Sequence, residues 1–318
     1  MKESILNFPE QFKYKPEVTN SNKLRGFKRI IVIGMGGSHL AADLLKIYKP
    51  ALDLVVHSNY GLPKLPNGVL EESIVILSSY SGNTEEVLSA FEECVKQELN
   101  FGVIASGGKL LELAKEHSIP YVELPGGEQP RMAVGFALRA TLAILGENAA
   151  LKESASLAAR LLPQSLEGDG KKLAQKIKGF VPVIYSSSAN LPIAYNWKIK
   201  FNETGKIPAF YNVFPELNHN EMNGNFEPLA SKFYFIFLED SADYSLIRTR
   251  MRVLEKIYKE KGLQVGKITL QGRDVWEKIF RSLILADWAA YYTALQYDLD
   301  PQEVPLVEEF KRIIAAED

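Results

Sequence analysis

Short apolar runs alternate with amphipathic stretches along the whole chain. The runs are apolar on both faces, as in Ile74-Val75-Ile76-Leu77, which is typical of buried parallel strands. The stretches between them repeat apolar residues every three or four positions, as at Val87, Phe91 and Val95, and this spacing predicts helices packed on a sheet. The alternation therefore predicts an α/β fold built on doubly wound parallel sheets.

The predicted elements fall into two similar series. In the first series the predicted strands are Lys28–Ile33, Leu54–His57, Ser73–Leu77, Phe101–Ala105 and Pro120–Leu124, and the helices are Leu40–Tyr48, Glu85–Glu98, Leu110–His117 and Ala133–Leu145. In the second the strands are Val181–Ser186, Phe210–Phe214, Phe233–Leu238 and Val265–Leu270, and the helices are Leu151–Leu162, Lys171–Ile177, Pro192–Asn202, Tyr244–Lys261, Val275–Tyr297 and Pro305–Ala315. The alternation of strands and helices starts again after residue 150. This repetition predicts two domains, residues 1–150 and 151–318, and the chain is longer than a single hydrophobic core usually serves.

Composition and charge exclude several classes of protein. With 46% hydrophobic residues, 24% charged residues and a net charge of −2, the chain is neither disordered nor a typical nucleic-acid binder. We expect a cytoplasmic location, because no apolar run approaches membrane-spanning length and the first residues lack a signal-peptide core. The single cysteine, Cys94, cannot form an intramolecular disulfide and is expected to pack inside a helix.

One junction between a predicted strand and a predicted helix is rich in hydroxyl groups. The sequence Ser79-Tyr80-Ser81-Gly82-Asn83-Thr84 follows an apolar run and precedes an amphipathic helix. The start of a helix presents unpaired N–H groups and a positive partial charge, which suit a phosphate. The hydroxyls add donors without a formal charge. The junction therefore predicts a phosphate-binding loop, and helix capping by Thr84 is compatible with that interpretation.

A glycine turn, Gly34-Met35-Gly36-Gly37-Ser38, follows the first predicted strand. The dinucleotide fingerprint G-x-G-x-x-G would need a glycine where His39 stands, so NAD-dependent chemistry is not indicated. Gly36 and Gly37 would let a ligand approach the backbone, and Ser38 would add a donor. A tight structural turn would explain the same residues about as well.

Together the two loops and the second series of strands and helices after residue 150 resemble tandem sugar isomerase (SIS-type) domains. The usual phosphate loop of those domains has the sequence Ser-x-Ser-Gly-x-Thr. Three further segments sharpen this likeness over essentially the whole chain: Gly126–Arg131, Phe201–Lys206 and Glu216-Leu217-Asn218-His219-Asn220-Glu221. With them the sequence resembles the bifunctional phosphoglucose/phosphomannose isomerase family. The resemblance implies metal-free and cofactor-free interconversion of glucose 6-phosphate and fructose 6-phosphate, a step of glycolysis and gluconeogenesis, and also of mannose 6-phosphate.

The resemblance also implies a role for each site residue. Glu203 would be the base that moves a proton between C1 and C2, His219 and Lys311 would open the sugar ring, and Arg131 would stabilise the enediolate. The residues implied to hold the phosphate are Ser38, Ser79, Ser81 and Thr84, with backbone amides of Gly36 and Gly37. Some members of the family have a threonine shortly before the lysine. Residues 302–305 have none, so the glucose reaction is implied more directly than the mannose one.

Each of these residues also has an ordinary structural interpretation. Glu203 could be a solvated acid at a helix end, paired with a neighbouring lysine, and Arg131 could pair with Glu128. Lys311 lies at the border of the apolar stripe of the last helix, where lysines more often extend to solvent than into a pocket. The other three histidines are expected to be structural; they are His39, His57 and His117.

The resemblance implies a homodimer, because in that superfamily the histidine reaches the site of the neighbouring subunit. We expect a small sugar phosphate as the partner, with no nucleic acid and no membrane. Two alternatives stay open: a phosphosugar-binding regulator without catalysis, and a fragment of an aminotransferase that makes glucosamine phosphate. The first would normally carry an added DNA-binding domain, and the second would need a nucleophilic cysteine, for which this chain offers only Cys94.

Overall fold

The chain folds as two compact units in the computed structural model, which describes residues 1–224 and 229–317. The N-terminal unit comprises Leu6–Leu162 and Gly272–Ile279. The C-terminal unit comprises Met1–Ile5, Pro163–Gln271 and Phe280–Asp318. Each unit contains one parallel sheet with helices beside it.

The sheet of the N-terminal unit has the strand order β2-β1-β3-β4-β5, and all its neighbouring strands are parallel. Its strands are β1 (Arg29–Ile33), β2 (Leu54–His57), β3 (Ser73–Ser78), β4 (Phe101–Ala105) and β5 (Tyr121–Glu123). Every residue of β3 is buried, as expected for a central parallel strand that is covered on both faces. Because β1 and β3 are parallel neighbours, the loops that follow them start side by side at one edge of the sheet.

The sheet of the C-terminal unit repeats this arrangement with the order β7-β6-β8-β9, again parallel throughout. Its strands are β6 (Val181–Ser187), β7 (Phe210–Phe214), β8 (Phe233–Asp240) and β9 (Gln264–Leu270). The prediction of an α/β fold with two doubly wound parallel sheets is confirmed.

The helices occupy the connections between the strands and the C-terminal part of the chain. In chain order they are α1 (Lys2–Leu6), α2 (Leu40–Tyr48), α3 (Glu85–Lys96), α4 (Gly108–Glu116), α5 (Val134–Ile144), α6 (Asn148–Ala155), α7 (Leu157–Arg160), α8 (Gln164–Ile177), α9 (Leu191–Glu203), α10 (Ser245–Glu260), α11 (Val275–Leu295) and α12 (Pro305–Glu317).

Each unit has its own hydrophobic core on its sheet. In the N-terminal unit Val75 and Leu77 of β3 pack with Val87 and Phe91 of α3, all of them almost completely buried. One core cluster of the C-terminal unit is rich in aromatic residues, which are Tyr185, Phe214, Phe235, Phe237 and Tyr258. Burial of each such side chain contributes on the order of 1.5–3 kcal/mol against the conformational entropy of folding.

Two predicted helices differ from the observed ones by more than one or two residues at an end. The predicted helix Leu151–Leu162 is two helices, α6 and α7, because the N–H of Ser156 bonds to the carbonyl of Glu153 at 3.1 Å in a tighter turn. Helix α8 begins at Gln164 rather than at Lys171, since its glycines conceal the helical pattern. Gly170 is required there: a Cβ atom would lie 2.3 Å from Cβ of Trp288, so α8 packs directly on α11.

None of the helices among the described residues has the length and hydropathy needed to cross a bilayer. Cys94 is a free, fully buried thiol in α3, and burial raises its pKa to about 12. At neutral pH it is therefore protonated and unreactive, in agreement with the expected packing role.

Candidate active site

Two loops at one edge of the N-terminal sheet are tied together by side-chain hydrogen bonds. The hydroxyl of Ser78, the last residue of β3, donates to the carbonyl of Ser38 at 2.7 Å. The backbone N–H of Tyr80 donates to Oγ of Ser38 at 3.0 Å. The glycine turn after β1 and the hydroxyl loop after β3 therefore form one continuous surface, as a shared ligand would require.

Within the hydroxyl loop, the side chains bind one another. Oγ of Ser79 and Oγ1 of Thr84 lie 2.7 Å apart, and Oγ of Ser79 also accepts the N–H of Gly82 at 3.1 Å. Oγ of Ser81 accepts the N–H of Asn83 at 3.3 Å, and its side chain is exposed. Thr84 occupies the N-cap position of α3, but its hydroxyl makes no capping hydrogen bond. The hydroxyls therefore line the turn rather than close the helix.

Gly82 gives this loop its shape. It has φ +71°, and a Cβ atom at this position would lie 1.8 Å from the carbonyl oxygen of Gly107. The carbonyl of Gly82 accepts the N–H of Leu110 at 2.8 Å, which joins the loop to α4. The requirement for glycine is therefore both conformational and steric.

Arg131 lies beside the glycine turn, in the segment between β5 and α5. A Cβ atom on Gly37 would lie 2.7 Å from the backbone nitrogen of Arg131, so the two backbones are in direct contact. Arg131 is only 1% exposed, and its guanidinium is 3.4 Å from Oε1 of Gln129. The structure thus gathers the glycine turn, the hydroxyl loop and a buried cation at one edge of one sheet.

Tyr80 is a residue of this site that the sequence did not single out. Its hydroxyl donates to the carbonyl of Pro125 at 2.9 Å and accepts the N–H of Glu128 at 3.1 Å. Its own carbonyl accepts the hydroxyl of Ser106 at 2.6 Å. Tyr80 therefore links the hydroxyl loop to the segment that carries Arg131. Its position between two candidate serines was the only signal in the sequence.

In the C-terminal unit, Glu203 is the last residue of α9 and is partly buried. The helix ends sharply there, because the carbonyl of Lys200 accepts the N–H groups of Thr204 at 2.9 Å and Gly205 at 3.0 Å. Two lysines near Glu203 in the chain, Lys200 and Lys206, are held by described hydrogen bonds. Nζ of Lys200 binds Asp287 at 2.6 Å, and Nζ of Lys206 donates to the backbone carbonyl of Glu203 at 2.5 Å.

Lys206 also connects the Glu203 turn to the approach to α12. Its ammonium group donates to the backbone carbonyl of Glu303, two residues before the helix begins at Pro305. Within this unit the structure therefore brings together the start of the helix that carries Lys311 and the end of the helix that carries Glu203.

His219 ends a short 3-10 turn, Glu216–His219, and its side chain is exposed. Leu217 in the same turn is completely buried and fixes the turn against the aromatic core. The imidazole makes no hydrogen bond or ion pair with any residue that the structure describes. It is therefore directed away from its own core and is open to a ligand or to another chain.

The structure places Lys311 on an exposed face of α12. The apolar stripe whose border it occupies is also exposed in the single chain, with Leu306 79% exposed and Phe310 63% exposed. Lys311 is itself exposed and pairs with Glu308 at 3.0 Å, one turn earlier on the same helix. In the single chain, Lys311 therefore neither extends past a buried stripe nor enters a pocket.

Comparisons with known proteins indicate the family of the chain. The profile described as "Bacterial phospho-glucose isomerase C-terminal SIS domain" matches residues 166–314. A bifunctional phosphoglucose/phosphomannose isomerase of Aquifex aeolicus is 33% identical, over 96% of this chain and 96% of that protein. The chain belongs to the bifunctional phosphoglucose/phosphomannose isomerase family.

Two further relatives show how far the likeness extends. A D-glucosamine-6-phosphate 4-epimerase of Sulfolobus acidocaldarius is 30% identical, over 78% of this chain and 82% of that protein. The crystal structure of a glucosamine-6-phosphate deaminase from Thermotoga maritima superimposes with a TM-score of 0.70 at 16% identity, covering 96% and 97% of the two chains. At that identity the superposition establishes the SIS-type fold alone.

His39, which directly follows the glycine turn, has a structural partner. It is 5% exposed, and its Nδ1 lies 2.6 Å from Oδ2 of Asp43, one turn later in α2. Its position between the glycine turn and α2 fits the expected structural role. Among the described residues no group of three acidic, histidine or cysteine side chains is arranged to hold a metal ion.

Proposed function

We propose that this protein is an aldose–ketose isomerase that interconverts glucose 6-phosphate and fructose 6-phosphate, and also acts on mannose 6-phosphate. The observation that carries the proposal is the convergence of the glycine turn, the hydroxyl loop and Arg131 at one sheet edge, in a chain of this family. We further propose that it acts in the cytoplasm, and the single buried thiol is compatible with a reducing compartment.

The phosphate is bound by the hydroxyl loop in this proposal. Ser79, Ser81 and Thr84 supply hydroxyl donors, and the start of α3 supplies backbone N–H groups and a positive partial charge. Ser38 and the amides of Gly36 and Gly37 approach from the neighbouring loop, which is bonded to the first at Tyr80. Two loops that are fixed to each other bind a phosphate at low entropic cost.

The chemistry is carried by four side chains. The carboxylate of Glu203 removes the proton from C2 of the aldose and returns it to C1, while a second proton passes from O2 to O1. The carbonyl thereby moves from C1 to C2 with no net change in protons or electrons. Arg131 stabilises the negative charge of the enediolate, because a guanidinium stays protonated at any working pH. His219 and Lys311 move protons at the ring oxygen and the anomeric hydroxyl during ring opening.

A homodimer with shared sites is part of the proposal. Two observations support it: the imidazole of His219 is exposed, and the stripe of α12 leaves large apolar side chains in solvent. The exposed members of the stripe are Leu306, Val307, Phe310 and Ile313. Apolar helix faces of this kind are usually covered by a partner.

The decisive experiment compares the wild-type chain with Glu203→Gln. We expect the wild type to convert glucose 6-phosphate and mannose 6-phosphate to fructose 6-phosphate, and to exchange the C2 hydrogen with solvent tritium. The variant should lose both turnover and exchange by about 10³-fold or more, because a neutral amide cannot accept the proton. Near wild-type exchange in the variant would remove Glu203 from the mechanism.

The same assay separates isomerisation from epimerisation at C4. Incubation with glucosamine 6-phosphate, followed by chromatographic separation of the sugars, would reveal a galactosamine product. We expect none, because the proposed proton transfer involves C1 and C2 alone. A C4-epimerised product with no turnover of glucose 6-phosphate would replace the proposed activity with that of the Sulfolobus acidocaldarius relative.

A further inference from the structure

The segment that contains His219 ends in Glu221, a residue with no part in the proposed chemistry. Its carboxylate is nevertheless held on both sides. Oε1 accepts a short hydrogen bond from the hydroxyl of Tyr185, and Oε2 accepts a short hydrogen bond from Nδ2 of Asn212. A carboxylate that accepts two side-chain donors is fixed in both position and orientation.

The two donors are supplied by neighbouring strands. Tyr185 lies in β6 and Asn212 in β7, and the two residues are directly paired in the parallel register. Paired residues project from the same face of a sheet, so both side chains can reach one acceptor. The two hydrogen bonds that hold Glu221 therefore follow from the register of β6 and β7, and not from the geometry of a flexible loop.

Both donors are themselves held in place. Tyr185 is completely buried, and its ring packs against Phe214 at 6.0 Å and Phe237 at 5.5 Å between ring centroids. Burial raises the pKa of Tyr185 far above its ordinary value, so its hydroxyl remains a donor at any working pH. Oδ1 of Asn212 accepts the N–H of Val213 at 2.8 Å, which directs its Nδ2 towards Glu221.

Asn220 connects the hydrogen-bonded Glu221 to the turn that contains His219. Oδ1 of Asn220 accepts the N–H of Glu221 at 2.6 Å, and its Nδ2 donates to Oε1 of Glu216 at 2.8 Å. One side chain thus joins the residues on both sides of His219. The imidazole has no hydrogen-bond partner among the described residues, so its direction is determined by this backbone.

We propose that Glu221 is a positioning residue, which anchors the 216–221 segment to β6 and β7 and so presents the imidazole of His219 for ring opening. The proposal rests on the proposed function of His219. It adds a role for the carboxylate and for its two strand donors, none of which is among the residues proposed above to bind or convert the sugar phosphate.

The test replaces Glu221 by Gln and measures kcat, KM and amide hydrogen exchange. A Gln amide can accept from only one of the two donors, and its NH₂ group faces the other. We expect kcat to fall about 10- to 100-fold, as for a small displacement of a catalytic group, while KM changes by less than about twofold. Amide exchange across residues 216–223 should accelerate about tenfold or more.

Matched controls come from another Tyr–Glu pair in the same unit. The hydroxyl of Tyr292 donates to Oε1 of Glu167 at 2.5 Å, between α11 and α8. Glu167→Gln and Tyr292→Phe should leave kcat and exchange at 216–223 unchanged. Tyr185→Phe keeps the ring in the core and removes one donor, so it should lower kcat about 3- to 10-fold even if Glu221→Gln folds poorly.

Two results would overturn the proposal. One is wild-type exchange across residues 216–223 in Glu221→Gln. The other is a kcat in that variant equal to wild type, or lowered no more than in Glu167→Gln. If the wild-type chain turns over no sugar phosphate, the proposed function fails first. The exchange measurement still decides whether Glu221 anchors the segment.

Discussion

Gly82 is the residue of the hydroxyl loop whose backbone leaves no room for a side chain. Its φ of +71° costs an alanine about 1–2 kcal/mol, and the added Cβ would lie 1.8 Å from the carbonyl oxygen of Gly107. Relief of such a contact costs about 1–3 kcal/mol more. We therefore expect Gly82→Ala to lower the free energy of unfolding by about 2–5 kcal/mol and to raise KM for sugar phosphates about tenfold or more, measured by urea titration and initial rates.

Gly68 offers a control that separates the cost of a positive φ angle from the cost of a steric clash. It has φ +81°, but a Cβ atom there would meet nothing within 4 Å. Gly68→Ala should therefore cost only the backbone term of about 1–2 kcal/mol and leave KM unchanged. Equal KM values for the two variants would mean that the loop after β3 does not bind the phosphate.

At the residue scale, the sequence singled out the hydroxyl loop as a candidate phosphate site, but it did not reveal the hydrogen bonds inside that loop. The hydroxyls of Ser79 and Thr84 stand out because they follow an apolar strand. That they bond to each other, and that Thr84 does not cap α3, depends on a turn geometry with no sequence signal. Tyr80 was missed because its partners, Pro125 and Glu128, are distant in the chain.

Among the helices, α9 bears directly on the proposed chemistry, because Glu203 is its last residue. Lys200, one turn earlier, and Asp287 of α11 form an ion pair of 2.6 Å in which both side chains are at most 2% exposed. Loss of one member of a buried pair leaves an uncompensated charge. We expect Lys200→Met to lower the free energy of unfolding by about 3–5 kcal/mol.

A double replacement distinguishes the charge from the packing. Lys200→Met combined with Asp287→Leu removes both charges, so more than half of the lost stability should return. Lys198→Met, on the same helix without a charged partner among the described residues, should change stability by less than about 0.5 kcal/mol. Trp197 and Trp288 lie in the C-terminal unit, so fluorescence during urea unfolding reports on this helix pair. A double variant less stable than Lys200→Met would contradict the argument.

The elements themselves were largely predictable, for a physical reason. Buried parallel strands are apolar on both faces, so Phe101–Ala105 was predicted to the residue. The bounds of Leu54–His57 and Phe210–Phe214 were also predicted to the residue, although both are partly exposed edge strands. The start of α8 was not predictable, because Gly170 is explained by a helix contact with Trp288 and not by local preference. The pattern also gave the amphipathic face of α12 without indicating that it stays exposed.

For the whole molecule, the exposed side chains of the C-terminal unit bear on assembly. Phe310 and Leu306 are 63% and 79% exposed on α12, and the imidazole of His219 is exposed as well. A second copy of the chain could cover an apolar face of this kind and receive the histidine in its own site. In a two-fold dimer this exchange would be reciprocal, so each site would draw Glu203 and His219 from different chains.

Mixed dimers of two inactive variants test this exchange. In a dimer of one Glu203→Gln chain and one His219→Gln chain, shared sites give one site with both substitutions and one site with neither. Random mixing produces mixed dimers in about half of the population, so about a quarter of the wild-type activity should return after co-expression. If each chain supplies both residues to its own site, every site carries one substitution and no activity returns.

Mass measurement by light scattering confirms that the species assayed is a dimer. A monomeric active enzyme would contradict the shared site, because the histidine would then have to act within its own chain.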